Sequence, residues 1–276
     1  MIVIDNVNNL DLCNTITCGQ IFRFKVLDDG AYIVVLKDRV VWLKYDLNKL
    51  YVDSNKLDDL ENEVINYLDL NRDYVSIINS IKGKDDLLDE YLDKSIGLKI
   101  IRQDIIECII SYVISQNNSV RNIQNSLNLI SEMYGEKVSF MGNCYYLFPT
   151  LDKLSNITLE DYRKCKVGFR DKYLFDIVKS LSDKSFDIEK IKSMSSTNAL
   201  EYLMSFKGIG MKVASCILLF AYQRFDVFPI DTWVKKFMLE NYNINNEKDI
   251  RKYVMDNYKE YSGLVIQYMF NAMRNM

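Results

Sequence analysis

Two side chains within residues 203–236 have the types and the spacing for nucleophilic chemistry at a cation-like carbon. The segment reads LMSFKGIGMKVASCILLFAYQRFDVFPIDTWVKK and contains Lys212 and, after a proline, Asp231. A neutral lysine amine attacks such a carbon and forms a Schiff base, and a fixed carboxylate stabilises positive charge that develops beside it. Cys216 lies four residues after Lys212, which places both on one helix face. The chain has no histidine, so histidine-based nucleophiles, bases and metal sites are excluded.

The glycine pair in the same segment predicts how these groups are positioned. The pattern predicts a helix, a tight turn at Lys207-Gly208-Ile209-Gly210, a second helix that carries Lys212, a loop and a third helix. Gly208 and Gly210 permit a sharp bend, because φ > 0 is open to both. The bend exposes the first amide groups of the second helix, an arrangement that suits a phosphate.

Each of these residues also has an ordinary interpretation. A single lysine on a helix is usually a solvated charge, and Asp231 before Thr-Trp-Val would be a helix N-cap worth ~1 kcal/mol. Cys216 alone would be a small buried hydrophobe. Helical hairpins of this kind also serve as non-catalytic DNA-binding modules. The conjunction of turn, lysine, cysteine and aspartate in this order favours an enzyme.

The rest of the chain supplies a β-rich start and a helical remainder. Residues 20–46 alternate apolar and polar side chains, which predicts an antiparallel meander with an Asp-Gly hairpin. Residues 47–93 look helical and acidic, and only helical periodicity follows from residue 101, apart from loops near 135–150 and 182–187.

The predicted fold is therefore α+β, with two parts. Residues 1–95 would form a small antiparallel β-sheet domain with flanking helices. Residues 96–276 would form a larger all-helical domain that contains the helix-hairpin-helix.

Composition adds constraints on the type of protein. The 276 residues are 49% hydrophobic, and no apolar run is long enough to cross a bilayer. The six cysteines show no CxxC spacing, so a zinc ribbon or an iron–sulfur cluster is not indicated. We expect reduced thiols in a cytoplasm. The net charge is −3, but basic residues cluster at 163–172 and 207–236, which predicts either one basic groove or a solvated face.

The segment at 203–236 resembles the helix-hairpin-helix-GPD motif of base-excision DNA glycosylases, with the lysine and aspartate of the bifunctional members. Cys18-Gly19-Gln20-Ile21-Phe22-Arg23-Phe24 is similar to the GQ-x-FR-aromatic segment of the 8-oxoguanine DNA glycosylase/lyase branch. The resemblance implies that the Gly19 carbonyl accepts a hydrogen bond from the N7–H that only the oxidised base carries.

Two further stretches resemble DNA-contacting parts of that branch. In SQNNSVRN, Asn117 matches the asparagine that fills the hole left by the flipped nucleotide. Animal members have an orphan-base arginine where this chain has Asn122, and Arg121 stands one residue earlier. In VGFRDKY, Phe169 would wedge beside the orphan base and Arg170 would hydrogen-bond it, as the resemblance implies.

The last helix resembles the family's base-stacking segment. Phe270 matches the phenylalanine that stacks on the base, and Cys216 would lie against the other face. Ile266 occupies the position of the family's base-reading glutamine, while Gln267 is one residue later, a rotation of about 100° on a helix. We therefore expect Ile266 to face the base and Gln267 to point elsewhere.

The resemblance implies a bifunctional enzyme that flips 8-oxoguanine out of duplex DNA, excises it through a Lys212 Schiff base with Asp231 assisting, and nicks the strand by β-elimination. It implies no metal and no organic cofactor. The expected partner is double-stranded DNA that contains an oxidised purine, with no membrane, and the expected form is a bacterial cytoplasmic monomer. The alternatives are a non-catalytic DNA-binding module and a glycosylase for another damaged base.

Overall fold

A computed structural model describes residues 1–274 and contains one five-stranded antiparallel sheet, one short hairpin and a large set of helices. The sheet has the order β1-β5-β4-β3-β2, with all neighbouring strands antiparallel. Its strands are β1 (Ile2–Ile4), β2 (Phe24–Val26), β3 (Tyr32–Val35), β4 (Val40–Asp46) and β5 (Lys49–Ser54).

One helix lies between β1 and β2 in the chain, and all the other helices come after β5. Those before residue 100 are α1 (Leu12–Thr17), α2 (Leu60–Tyr67), α3 (Tyr74–Ile81) and α4 (Asp86–Lys94). Those up to residue 182 are α5 (Ile105–Ser115), α6 (Val120–Tyr134), α7 (Leu151–Leu154), α8 (Leu159–Lys164) and α9 (Asp171–Ser182). The last six are α10 (Lys190–Ser193), α11 (Ser196–Met204), α12 (Met211–Tyr222), α13 (Thr232–Tyr242), α14 (Glu247–Tyr258) and α15 (Ser262–Arg274).

Period-two alternation explains why both faces of the sheet are buried. Val41 and Leu43 face a core completed by α1 and α2, while Val40 faces a second, smaller core. A hairpin of β6 (Lys137–Phe140) and β7 (Asn143–Tyr146) supplies the other side of that smaller core. Successive side chains of a strand point to opposite faces, so one strand serves both cores.

The helical core is built around α5 and α12, which lie against each other. All side chains from Cys108 to Ile114 are buried, as are those from Val213 to Phe220. Helices that are apolar on every side belong in the interior of a large core. This central pair carries the ends that build the site, because Ser115 ends α5 and Lys212 lies in the first turn of α12.

The α+β class and the order of sheet then helices are confirmed, but two local predictions are wrong. The helical prediction for 47–93 fails at β5, where buried Leu50 and Val52 alternate with more exposed neighbours. The loop predicted at 135–150 contains the β6–β7 hairpin, so the second part is not entirely helical. The strands β5, β6 and β7 are short, and each contains too few apolar residues to show a period-two pattern by itself.

Hydrophobic packing also divides the chain differently from the boundary at residue 95. Side chains of α3 and α4, such as Ile78 and Leu92, belong to the helical core. Arg23 of the strand region pairs with Glu107 of α5 at 3.2 Å and also donates to the Tyr146 carbonyl of the hairpin. The sheet and the helices therefore share contacts on several sides.

Candidate active site

The helical hairpin is formed as the glycine spacing predicts. α11 ends at Met204 and α12 begins at Met211. Gly208 has φ +94°, and a Cβ there would lie 2.6 Å from Tyr173. Gly210 does not use the positive φ that the sequence allows it, since its φ is −91°. No atom lies within 4 Å of its Cβ position, which leaves its backbone open to a phosphate.

Lys212 is half-buried in the first turn of α12. Its Nζ lies 3.4 Å from Ser115 Oγ and 5.4 Å from the centre of the Tyr112 ring. Among residues 1–274 no carboxylate pairs with Nζ within 4 Å. The amine is thus directed toward the end of α5 without being held in an ion pair.

Asp231 has the capping role and also faces the site. Its Oδ1 accepts a 2.9 Å hydrogen bond from Val234 N at the start of α13. The side chain also borders the same cavity as Lys212. The N-cap interpretation and the site interpretation therefore hold together, because the helix start fixes the carboxylate in place.

A small cavity of about 60 Å³ brings the base-contacting candidates together. A space of this size holds only a few waters, so side chains must shift to admit a base. The lining residues are Gly19, Tyr112, Lys212, Cys216, Phe220, Pro229, Asp231, Val234, Ile266, Gln267 and Phe270.

Gly19 is held by the side chain that follows it. Gln20 Nε2 donates to the Thr15 carbonyl at 2.7 Å and to the Lys99 carbonyl at 2.8 Å, and Gln20 Oε1 accepts from Ile101 N at 2.8 Å. Gly19 itself has φ +89°, a conformation that favours glycine. The GQ pair is thus a unit, with the glutamine fixing the backbone that the glycine presents.

Two buried thiols, Cys216 in the cavity wall and Cys18 just before Gly19, are neutral at physiological pH. Burial raises the pKa of Cys216 to about 11, with the charge of Lys212 opposing this shift. Burial likewise raises the pKa of Cys18, next to Gly19, to about 11. Cys216 therefore presents an uncharged, polarisable surface to the cavity.

Two adjacent residues of the last helix line the cavity, where the sequence predicts only one. Ile266 lines the cavity as expected, but Gln267 lines it too. Gln267 is only 5% exposed. Its Nε2 has no partner at full hydrogen-bond geometry in the described chain, and the side chain faces the Cys18 thiol, whose pKa is raised by burial and partly lowered by Gln267. The expectation that Gln267 points elsewhere is therefore wrong, because the cavity is wide enough to receive two adjacent positions of α15.

The DNA-facing candidates lie on two loops. Asn117 is exposed with φ +46°, and Arg121 and Asn122 are exposed in the first turn of α6. Phe169 is 59% exposed, unusual for a large aromatic side chain.

Arg170 is used differently in the free protein from what the resemblance implies. It is 5% exposed, and its guanidinium lies 4.3 Å from the centre of the Phe169 ring. The guanidinium donates to the backbone carbonyls of Val167, Gln116 and Asn117. These donors are directed at the protein, so Arg170 supports the loop of Asn117 rather than pointing out toward a base.

The basic clusters are only partly available to DNA. Acidic neighbours pair with Arg163, Lys164, Lys235 and Lys236. Within the two basic clusters, the exposed groups for which the described chain offers no acidic partner within 4 Å are Lys166, Lys172 and Lys207. Lys166 and Lys172 flank Phe169 in the sequence, and Lys207 precedes Gly208.

Arg274 was not anticipated, although it borders the base site. Its Nη1 donates to the Thr17 carbonyl at 3.3 Å and lies 2.7 Å from the Cβ position of Gly19. Its guanidinium is 5.7 Å from the ring centre of Phe270. The only available signal was its spacing of one helical turn after Phe270.

The described residues offer neither a metal site nor a membrane-spanning helix. Within residues 1–274, no group of three or more acidic or cysteine side chains is arranged to hold a metal ion. In the same part of the chain, every helix is too short or too polar to span a bilayer.

Comparison with known proteins shows which family the chain resembles. Residues 2–109 match the family described as 8-oxoguanine DNA glycosylase, N-terminal domain. A probable N-glycosylase/DNA lyase from Methanothermobacter thermautotrophicus is 29% identical over 77% of this chain and 74% of its own length.

Solved structures agree over the full fold. The apo form of the Clostridium acetobutylicum 8-oxoguanine glycosylase/lyase is 36% identical, with a TM-score of 0.93 over 98% of this chain and 95% of that protein. The same enzyme in complex with double-stranded DNA containing cytosine opposite 8-oxoguanine gives a TM-score of 0.94 at 36% identity, over 99% of this chain and 94% of that one.

Proposed function

Because this chain belongs to the 8-oxoguanine DNA glycosylase/lyase family, we propose that it excises 8-oxoguanine from duplex DNA through Lys212 and Asp231. It is a bifunctional DNA glycosylase and lyase. The observation that carries the residue assignment is the shared cavity, which Lys212 and Asp231 border together with the base-facing side chains.

DNA binding begins with the phosphate backbone. The open backbone at Gly210 and the unpaired charges of Lys207, Lys172 and Lys166 hold the strand near the hairpin. The damaged nucleotide must leave the stack, at a cost of a few kcal/mol. Asn117 and Phe169 occupy the space that it vacates.

Base recognition combines three surfaces of the cavity. The Gly19 carbonyl accepts the N7–H of the oxidised base, Cys216 and Phe270 contact its two faces, and Gln267 offers an unpaired amide to a polar edge. Ile266 adds an apolar wall. A buried amide without a partner selects ligands that satisfy it, because leaving it unpaired costs ~1–3 kcal/mol.

The chemistry then proceeds at C1′ of the flipped nucleotide. The neutral Lys212 amine forms a bond to C1′, and the bonding pair of the N-glycosidic bond leaves with the base, which gains a proton. Loss of a proton from nitrogen and opening of the sugar give a Schiff base between Lys212 and C1′. Removal of a C2′ proton then expels the 3′ phosphate, and hydrolysis of the product imine frees Lys212.

Asp231 lies beside this centre. A fixed carboxylate stabilises the oxocarbenium-like charge at the sugar and assists the proton transfers. Because Asp231 caps α13 and its Oδ1 accepts a hydrogen bond from Val234 N, the carboxylate is already oriented before substrate binds.

Borohydride trapping tests this assignment. Lys212→Gln removes the amine, so it should lose base release and covalent trapping on 8-oxoguanine duplex while it keeps most DNA affinity. Lys248→Gln is the control, since Lys248 is an exposed lysine of α14 outside the hairpin and the cavity and should trap normally. Normal trapping by Lys212→Gln would remove Lys212 from its role.

The same chain supplies every group named above. We therefore propose that the working form is a monomer that acts on chromosomal DNA in a bacterial cytoplasm. A non-catalytic DNA-binding module is not favoured, since the relatives are named as glycosylase/lyases.

A further inference from the structure

The loop that carries Asn117 has an unusual backbone. We define the insertion loop as residues 116–118, between α5 and α6. Asn117 has φ +46°, a left-handed conformation that few non-glycine residues adopt. The surrounding structure must hold such a residue in place.

Arg170 holds the insertion loop from one side. Its Nε lies 2.9 Å from the Gln116 carbonyl and its Nη2 2.9 Å from the Asn117 carbonyl. Its Nη1 lies 3.0 Å from the Val167 carbonyl. One rigid guanidinium thus joins two carbonyls of the insertion loop to the Val167 carbonyl, two residues before Phe169.

Gln116 holds the insertion loop from the other side. It is the C-cap of α5, and its Nε2 lies 3.0 Å from the Val113 carbonyl and 2.9 Å from the Gly208 carbonyl. Gly208 is the left-handed residue of the hairpin turn, packed against Tyr173. The amide therefore joins the end of α5, the insertion loop and the phosphate-gripping turn.

We propose that Gln116 is a positioning residue that couples the hairpin's grip on the DNA backbone to insertion of Asn117 into the duplex. The inference rests on the proposed function, because it assigns Gln116 to the flipping step of that reaction. Gln116 touches neither the base cavity nor Lys212 by any of its hydrogen bonds. When the turn binds a phosphate, the Gln116 hydrogen bond to Gly208 fixes the insertion loop relative to the DNA backbone. Because the loop is already ordered, insertion of Asn117 costs less conformational entropy.

Two variants test the coupling. Gln116→Glu keeps the shape but cannot donate to the Gly208 carbonyl, and Gln116→Ala removes the whole group. Asn156→Ala is the matched control, since Asn156 Nδ2 likewise donates to a carbonyl four residues earlier, that of Asp152 at 2.7 Å, and Asn156 lies outside the insertion loop, the hairpin and the base cavity.

The readout is single-turnover excision on two duplexes, one with cytosine opposite 8-oxoguanine and one with no base opposite it. Extrusion of an unpaired base costs less, so the second duplex depends less on insertion of Asn117. In both Gln116 variants the excision rate on the duplex with cytosine should fall roughly tenfold, as expected for the loss of one neutral hydrogen bond. On the duplex with no opposite base, the rate should fall much less. Asn156→Ala should match the parent enzyme on both.

Other outcomes overturn the inference. An equal loss on both duplexes would place Gln116 in the chemistry or in general stability, and no loss on either would deny the coupling. Fluorescence of 2-aminopurine beside the lesion gives a second measurement, which should show slower flipping in Gln116→Glu even if Gln116→Ala folds poorly. Failure of the parent enzyme in borohydride trapping would instead reject the proposed function, so the two failures are distinguishable.

Discussion

Replacement of Gln267 by leucine should make the protein more stable and less active at once. Gln267 is 5% exposed and its Nε2 has no partner at full hydrogen-bond geometry in the described chain. An unsatisfied buried amide costs ~1–3 kcal/mol, and an apolar group of similar shape avoids that penalty. A gain of ~1 kcal/mol would raise Tm by about 2–4 °C in a chain of this size.

The loss of activity has a separate magnitude. Hydrogen bonds to a base edge contribute ~1–3 kcal/mol of discrimination, which corresponds to roughly 5- to 150-fold in rate. The Gln267 Nε2 can only donate, so it pairs with an acceptor on the base edge such as O6. Gln267→Leu should therefore lose that factor on 8-oxoguanine and much less on 8-oxo-2-aminopurine, which lacks O6. The variant should therefore discriminate poorly between the two bases.

The assay combines thermal unfolding with single-turnover excision of both bases. Ile266→Val is the matched control, because it alters the adjacent cavity wall without touching a polar group. It should lower stability by ~0.5–1.5 kcal/mol and leave the ratio of the two rates unchanged. If Gln267→Leu excises both bases at the parent rates, the unpaired amide is not a base contact.

Two other expectations concern the glycines and the thiols. Gly208→Ala should destabilise the fold by more than ~1 kcal/mol, because φ is +94° and the new Cβ would lie 2.6 Å from Tyr173. Gly210→Ala should keep the parent Tm, because the space around its Cβ position is open. Equal Tm values for the two variants would contradict this reasoning. Alkylation at pH 8 should label exposed Cys13 and Cys144 first and spare Cys18 and Cys216. Burial raises the pKa of both spared thiols to about 11, so their reactive thiolate appears only as pH rises toward that value, and early labelling of Cys216 in a peptide map would argue against its burial.

The sequence was most informative where function constrains several residues together. The glycine turn, Lys212, Cys216 and Asp231 were identified from their order, and the structure brings Lys212, Cys216 and Asp231 to one cavity. The family and the enzyme class are confirmed by the comparisons. The roles of the individual residues stay predictions.

Other features depend on packing that no local pattern contains. Gln267 enters the cavity because the space between α12 and α15 receives two adjacent positions, which a helical rotation of about 100° does not reveal. Arg170 turns inward because three carbonyls converge on it, and two of them, those of Gln116 and Asn117, come from a loop distant in sequence. The strand β5 and the β6–β7 hairpin were missed because their few apolar residues gain meaning only against the sheet.

The β6–β7 hairpin has a consequence for the growing chain on the ribosome. Strands β1 to β5 are complete at Ser54, but Phe140 and Leu147, which pack on one face of their sheet, are translated later. At ordinary rates of synthesis the interval between Ser54 and Leu147 lasts on the order of ten seconds. During that interval Ile33, Val40 and Trp42 lack these packing partners, so this smaller core can form only late in translation.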